Sequence, residues 1–363
     1  MALSTSDRHS DDGGSEPLNR YSDSRFHLPG PHRSRRQLKI VIILFLVGLL
    51  IFNFARFKSP ARGWGVGTET PLNVRIYTHN VRYAHRRLSP NERPWKERKR
   101  RVASSIAFNA NSRHGSVVCL QEVLSNQLKD ILYYLNDKNR SSEWTYYGVG
   151  RSDGVAAGEF SPVLYRTSEW NLVENRTFWL SETPEYPSVG WDAAMERIVT
   201  MVTLESTASP AIKINVFNTH FDHKGELARR QSALLIAKKM KHHNEYPSFL
   251  CGDFNTQPTD GPYAVLSGEG LKDSRTLIDP LHSYGHNYTF TGFDEELEGG
   301  TIIDYIWSPT YSRRKYAKPK NKDRTTSYAV EIANFGIIHS YFNDFYISDH
   351  RPVCADYLIK KVK

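Results

Sequence analysis

The sequence predicts an α/β (α+β) domain of two packed sheets with helices outside, spanning about residues 72–360, and three observations lead there. Short apolar runs of strand type recur along the chain. Segments of helical period lie between them. Strand, polar pair and helix then follow one another repeatedly, the order expected when sheets deliver side chains to one edge and helices cover their faces.

The strand predicted over Asn73–Thr78 alternates apolar and polar residues and ends in His79-Asn80. Trp95 to Ala110 carries the period of a basic amphipathic helix, and Val117–Leu120 is a buried strand ending in Gln121-Glu122. A helix follows over Ser125–Leu135. Pro162–Tyr165, Arg197–Leu204 and Ile212–Asn218 read as strands, the last running into Thr219-His220-Phe221-Asp222. Glu226–His243 has helical period, and Phe249–Cys251 is a strand stopped by Gly252. Further strands are predicted at Ile302–Trp307, Phe335–Ser340 and Pro352–Tyr357, with a basic insert after the first. No internal repeat is present.

Ahead of this domain, residues 1–38 are rich in Ser, Asp, Arg, Gly and Pro without an apolar period, and are expected to be a disordered tail. Ile40 to Phe52 contains no charge, and the uncharged span reaches Ala55 between Lys39 and Arg56. About 24 Å of helix would result at ~1.5 Å per residue, short for a ~30 Å bilayer core unless the flanking bases snorkel. A signal peptide rarely starts so far in, and a core helix would need a polar face that this segment lacks. The expectation is a transmembrane anchor over 39–56, then a linker over 57–71. Basic residues ahead of the span favour a cytosolic N-terminus, which puts the large domain in the lumen or outside the cell. The sequons at Asn139, Asn175 and Asn287 agree with such a glycoprotein topology.

The net charge of +9 is unevenly placed: residues 1–62 hold ten Lys/Arg against five Asp/Glu, while Arg93–Arg101 and Arg313–Arg324 are two basic patches. The rest of the domain is mildly acidic, so a uniformly basic nucleic-acid face is not what the composition describes. The three cysteines, Cys119, Cys251 and Cys354, each sit in an apolar run. They read as core packing, not as a disulfide framework or a zinc site.

Six strand ends carry residues able to do chemistry: Asn80, Glu122, His220 with Asp222, Asp253 with Asn255, Asp304, and Asp349-His350. Any one of them reads most simply as a cap or an Asx-type turn. Six beside buried runs argue for one shared cleft. Hard oxygen donors such as Glu122, Asn80 and Asp349 suit Mg²⁺ or Mn²⁺, and a His beside a carboxylate stays protonated near neutral pH.

The motifs THN (78–80), CLQEV (119–123), NTHFDH (218–223), GDFNTQP (252–258), IDYIW (303–307) and SDHRPV (348–353) resemble those of the endonuclease/exonuclease/phosphatase superfamily. The likeness runs from about Leu72 to Lys360 in consistent order, with deadenylase-like motifs on a membrane-anchored branch. It implies a four-layer α/β sandwich of two packed mixed sheets flanked by helices, and a metal-dependent hydrolase of phosphate esters. It further implies Glu122 as the principal Mg²⁺ carboxylate with Asn80 beside it and Asp349 close to metal. Asp253 is then the residue activating water, and Asn255 its positioning partner. His350 would contact the scissile phosphate, Asp304 would orient its ring, and His220 would be a further phosphate contact.

The basic insert, with Arg313, Arg314 and Lys315 at its start, lengthens the step from Asp304 to Asp349 and is a candidate substrate contact for a polyanion. Leu180–Pro184, Gly190–Asp192, Arg197 and Gly158–Ser161 resemble a separate branch of that superfamily. They are expected to form structured loops packed by Trp179 and Trp191 more than to touch substrate. Three functions compete: a 3′–5′ exonuclease or deadenylase-like nuclease, a phosphatase or phosphodiesterase on inositol, sugar or lipid phosphates, and a non-catalytic binding module. Beyond the phosphate ester and the membrane, no protein partner is expected.

Overall fold

Alternate residues of the central strands enter different cores. In the second strand, Val117 and Cys119 face a core between two sheets, while Val118 and Leu120 face helices. In the eighth, Phe249 and Cys251 join the first of these cores and Leu250 a third one beneath other helices. Burial on both faces is why such strands read as unbroken apolar runs.

The computed structural model describes residues 70–361 except 112, 137–142, 295–299 and 310–327. In order the elements are β1 (Leu72–Asn80), α1 (Trp95–Ala110), β2 (Ser116–Gln121), α2 (Ser125–Leu135), β3 (Trp144–Tyr147), β4 (Val163–Arg166), β5 (Trp170–Trp179), β6 (Ile198–Ser206) and β7 (Lys213–His220). Then come α3 (Glu226–His243), β8 (Ser248–Asp253), α4 (Gly261–Gly268), β9 (Lys272–Asp273), β10 (Ser283–Gly285), β11 (Asp304–Ser308), β12 (Tyr328–Ile337), β13 (Tyr341–Phe342), β14 (Phe345–Tyr346) and β15 (Val353–Lys361).

Among the described residues, one mixed sheet has the order β10-β12-β15-β1-β2-β4-β3 and the other β5-β6-β7-β8-β11-β9. α1 and α2 cover the first sheet through Val102, Ile106, Leu128 and Ile131. α3 and α4 cover the second through Ala233, Ile236, Met240 and Leu266. The layers are therefore helix, sheet, sheet, helix, the sandwich the motifs imply.

Topology gathers the polar strand ends. β1 and β2 run parallel with Asn80 beside Gln121, and β7 and β8 run parallel with His220 beside Asp253. β11 is antiparallel to β8, so its first residue Asp304 pairs with the last residue Asp253. β15 is antiparallel to β1, which brings the turn at Asp349-His350 to the same edge.

The structure departs from the sequence reading at several points. β3 and β5 were not predicted: both pair along the outer edges of the sheets, where much of a strand stays solvated and no apolar run marks it. β12 starts at Tyr328, seven residues before the predicted Phe335. Arg98, counted within a basic patch, is wholly buried, and its guanidinium donates to the carbonyls of Arg93, Val81, Arg82 and Ile347. It pins the end of β1 to the segment before Asp349.

The expected tail 1–38, the anchor 39–56, nearly all of the linker 57–71, Asn139 and the basic insert with Arg313, Arg314 and Lys315 lie outside the described residues. Among the described residues no helix is long and apolar enough to cross a membrane. Asn175 and Asn287 are exposed.

Candidate active site

Asn80 at the end of β1 clasps the two sheets together. Its Nδ2 donates to Glu122 Oε1 at 3.0 Å and to Asp253 Oδ2 at 2.9 Å, while its Oδ1 accepts from the Arg82 backbone N–H. The amide thus presents hydrogens to both carboxylates. Ser348 Oγ donates to the Asn80 carbonyl at 2.6 Å, tying the turn before β15 to the same point.

Glu122 follows β2 with a left-handed backbone (φ 60°), as do Arg82 (58°) and Asn255 (44°). Such conformations cost a non-glycine residue about 1–3 kcal/mol and gather where function demands them. Burial pushes Glu122 up, but Asn80's hydrogen bond and the charges of Arg82 and His350 outweigh it and hold the carboxyl below its ordinary value. Arg82 stands 3.7 Å from Glu92, 3.9 Å from Glu122 and 3.8 Å from Asp349, a cation shared among three carboxylates.

Asp253 is buried at the end of β8, and burial lifts it to about 7 against the pull of the His350 charge. Its Oδ1 accepts from Asn255 N at 2.9 Å, so the Asx turn expected of the sequence is present. That same turn throws the Asn255 side chain into the cleft. Asn255 Nδ2 donates to the Phe221 carbonyl at 3.0 Å and reaches His220 Nε2 at 3.1 Å. His220 Nε2 is then an acceptor, which leaves the proton on Nδ1. Burial, followed by the charges of Arg197 and Arg151, pulls His220 well below the ordinary imidazole value, so the ring is neutral.

His350 has the opposite character. Burial pulls it down, yet Asp304 and Asp253 together hold it well above the ordinary value. Its Nδ1 meets Asp304 Oδ2 at 2.8 Å, and Nε2 lies 3.6 Å from Asp253 Oδ2. Asp349 is raised by burial, and its side chain faces Ser348 Oγ and Arg82.

The structure therefore brings Asn80, Glu122, His220, Asp253, Asn255, Asp304, Asp349 and His350 to one sheet edge. Asp222 is turned aside: it accepts from Lys224 N and Gly225 N at the start of α3 and pairs with Arg197 at 3.3 Å. Asp192 also caps α3, accepting from Leu227 N and Ala228 N, which is the structural part expected of the Gly190–Asp192 loop. Glu159 and Arg197 do not stay in such a part. With Arg151, Ser161, Ile198 and His220 they line a small recess of about 10 Å³, room for one water-sized group. Arg82 and Arg151 also belong to the site; Arg82 stands two residues beyond the strand-end Asn80, whereas Arg151 lies on the loop after β3 with no motif to mark it.

The residues present fit a divalent ion. Ligand atoms of Glu122, His220 and Asp253 lie within 4.8 Å of one another, as do those of Asp253, Asp304 and His350. The first group joins carboxylates to a neutral imidazole; the second contains the protonated His350, which cannot ligate. Carboxylate-rich donors suit a hard cation, and Asp349 adds a further carboxylate beside Glu122.

Residues 77–350 match the Endonuclease/Exonuclease/phosphatase family. The chain belongs to that family. Members of that family are hydrolases acting on phosphate esters, nucleases and phosphatases among them. A family protein of known structure from Bacteroides vulgatus is 33% identical, covers 80% of this chain and 100% of its own, with a TM-score of 0.68. Mannosyl-6-phosphatase from Bacteroides thetaiotaomicron is 29% identical over 78% of this chain and 99% of its own, with a TM-score of 0.66. A probable RNA exonuclease of Schizosaccharomyces pombe is 26% identical over 266 residues, 69% of this chain and 47% of its own length. The chain spans less than half the length of the curated relatives it matches.

Proposed function

We propose that this endonuclease/exonuclease/phosphatase protein is a Mg²⁺-dependent (or Mn²⁺-dependent) phosphatase or phosphodiesterase of small phosphorylated molecules, anchored to a membrane by residues 39–56 with its catalytic domain luminal or extracellular. The observation carrying the small-substrate reading is the small polar recess beside His220, lined by Arg151, Glu159, Ser161 and Arg197. A recess of that size next to the reacting centre takes a single polar substituent of a compact substrate. The mannosyl-6-phosphatase likeness over nearly that whole protein supports the same direction.

Glu122 and Asp349, with Asp253 within reach, would hold the ion. When bound, it supplies positive charge to the phosphoryl oxygens and acidifies water. Asp253 accepts the proton of the attacking water, and Asn255 orients that water without adding charge. His350, kept cationic by Asp304, donates to a phosphoryl oxygen as charge accumulates there. Asn80 keeps Glu122 and Asp253 apart at a fixed distance.

A second reading, an RNA exonuclease, is favoured by the fission yeast relative. In that reading Arg313, Arg314 and Lys315 contact the polyanion, and replacing them with Ser flattens the salt dependence of binding. A non-catalytic module is disfavoured because a silent site has no need to keep Glu122, Asp253, Asp304 and His350 converged.

The deciding experiment is a substrate panel on the full chain with Mg²⁺, Mn²⁺ or EDTA: sugar, inositol and lipid phosphates, bis-p-nitrophenyl phosphate and short RNA. Turnover of RNA alone would replace the small-substrate reading with the second; inertness throughout would leave the binding module. Endoglycosidase-sensitive mass on Asn139, Asn175 or Asn287 tests the luminal placement, and its absence on all three counts against it.

A further inference from the structure

Arg151 and Glu159 stand on one loop between β3 and β4, and the loop is braced from within. Asp153 Oδ1 accepts from the backbone N–H groups of Val155, Ala156 and Ala157 at 2.7–2.9 Å, and Ser152 N donates to the Ala157 carbonyl. Gly158 takes φ 81°, and a side chain there would run into Ser152. Trp179 Nε1 donates to the Arg151 carbonyl at 2.7 Å, fixing the loop to β5. The pocket wall is therefore set before any ligand arrives.

Charge decides what the wall can hold. Arg151 Nη2 pairs with Glu159 Oε1 at 2.9 Å, and Arg197 Nε pairs with Asp222 Oδ2 at 3.3 Å. Each guanidinium already has its carboxylate, so the pocket offers donors and acceptors side by side with little net charge. A second phosphate would call for unmatched cations. A hydroxyl, which donates and accepts at once, matches this wall.

His220 supplies the orphan group. The residue is 7% exposed, and its Nδ1 makes no hydrogen bond among the described residues. That nitrogen lies 4.0 Å from Glu159 Oε2, too far for a direct bond. One hydroxyl oxygen about 2.8 Å from each would bridge them, accepting from Nδ1–H and donating to the carboxylate. The other ring nitrogen is 3.4 Å from Asp253 Oδ2, so the hydroxyl would sit across the imidazole from the water-activating carboxylate.

We infer that the Arg151–Glu159–His220 pocket is a specificity site that reads a hydroxyl of a polyhydroxylated phosphate ester, a sugar or polyol phosphate, close to its phosphate. This rests on the small-substrate reading above and narrows it to one chemical class. Glu159 and Arg151 select among substrates, whereas Asp253 and His350 act on the phosphate in all of them.

The test compares kcat/KM of the full chain with Mg²⁺ on a set of hexose phosphates and on p-nitrophenyl phosphate, for the wild type and for Glu159→Gln. The wild type should prefer at least one hexose phosphate by tenfold or more. Glu159→Gln keeps an acceptor but loses the charge, and should shrink that preference by roughly 5- to 15-fold, the difference between a hydrogen bond to a charged and to a neutral acceptor, mainly through KM. Should Glu159→Gln not fold, monodeoxy analogues of the preferred substrate give the reading on the wild type: deleting the recognised hydroxyl costs roughly 10- to 150-fold, the worth of the whole hydrogen bond to a charged group. A folded Glu159→Gln enzyme with its preference intact overturns the inference, as does a wild type indifferent to every hydroxyl. A wild type that cleaves only RNA is distinguishable from both, since it removes the small-substrate reading before any variant is made and the inference falls with it.

Discussion

His350 Nδ1 and Asp304 Oδ2 are 2.8 Å apart across the sheet edge, and both side chains are buried. This contact keeps the imidazole charged in a place where burial alone would neutralise it. Removing the carboxylate with Asp304→Asn leaves burial unopposed on that side. The basic limb of log kcat/KM against pH should move down by at least one unit, and the rate at pH 8 should fall by up to tenfold for each unit moved. An unmoved basic limb would mean that something other than Asp304 holds the proton.

The two buried groups set the pH profile from opposite sides. Asp253 works unprotonated, so activity rises as pH climbs through its pKa, which burial places at about 7. A bound cation favours the carboxylate, so saturating Mg²⁺ should carry this acidic limb below 7 and metal depletion should return it upward. His350 works protonated, so activity falls as pH rises through its elevated pKa. Profiles at two Mg²⁺ concentrations check this, and an acidic limb indifferent to the ion would contradict it.

Asp253→Asn should lower kcat by about 10²–10⁴-fold without unfolding the protein, because an amide of nearly the same shape cannot take a proton from water. Near wild-type turnover would reduce Asp253 to a turn residue.

Asn80→Ala should cost stability as well as activity. The amide donates to both Glu122 and Asp253, and hydrogen bonds to charged groups are worth about 1.5–3 kcal/mol each. Its loss also raises the pKa of both carboxylates, since the bond favours their charged forms. Urea titration with and without Mg²⁺ should show a lower midpoint that the ion partly restores; an unchanged midpoint would count against the clasp.

Two glycines separate backbone need from chance. Gly252 has φ 142°, and a methyl there would overlap the Thr219 carbonyl on the neighbouring strand, whereas nothing lies near Gly268 at the end of α4. Gly252→Ala should abolish soluble expression or lower the melting temperature sharply. Gly268→Ala should be neutral or stabilising by about 0.4–1 kcal/mol. Similar melting temperatures for the two variants would disprove the contrast.

What the sequence determined by itself is the layered α/β domain and the polar residues at its strand ends. Both are local: burial on two faces makes apolar runs, and a run that stops at His-Asn, Gln-Glu or Gly-Asp announces where the chain leaves the core. The three long helices α1, α2 and α3 were legible to the residue for the same reason, since their buried positions recur every three to four residues. Edge strands β3 and β5 were not, because half-solvated strands carry no such run. Only the tertiary structure decided that Arg98 is buried, that Asp222 caps α3 instead of entering the cleft, and that Arg151, Glu159 and Arg197 meet His220. Long charged side chains take their place from partners at no regular spacing, Glu159 eight positions from Arg151 and Ile347 249 from Arg98, and no periodicity encodes those pairings. The charge states followed as well: His220 is neutral and His350 cationic because one ring is buried beside arginines and the other beside carboxylates, a difference that exists only once the two sheets are packed.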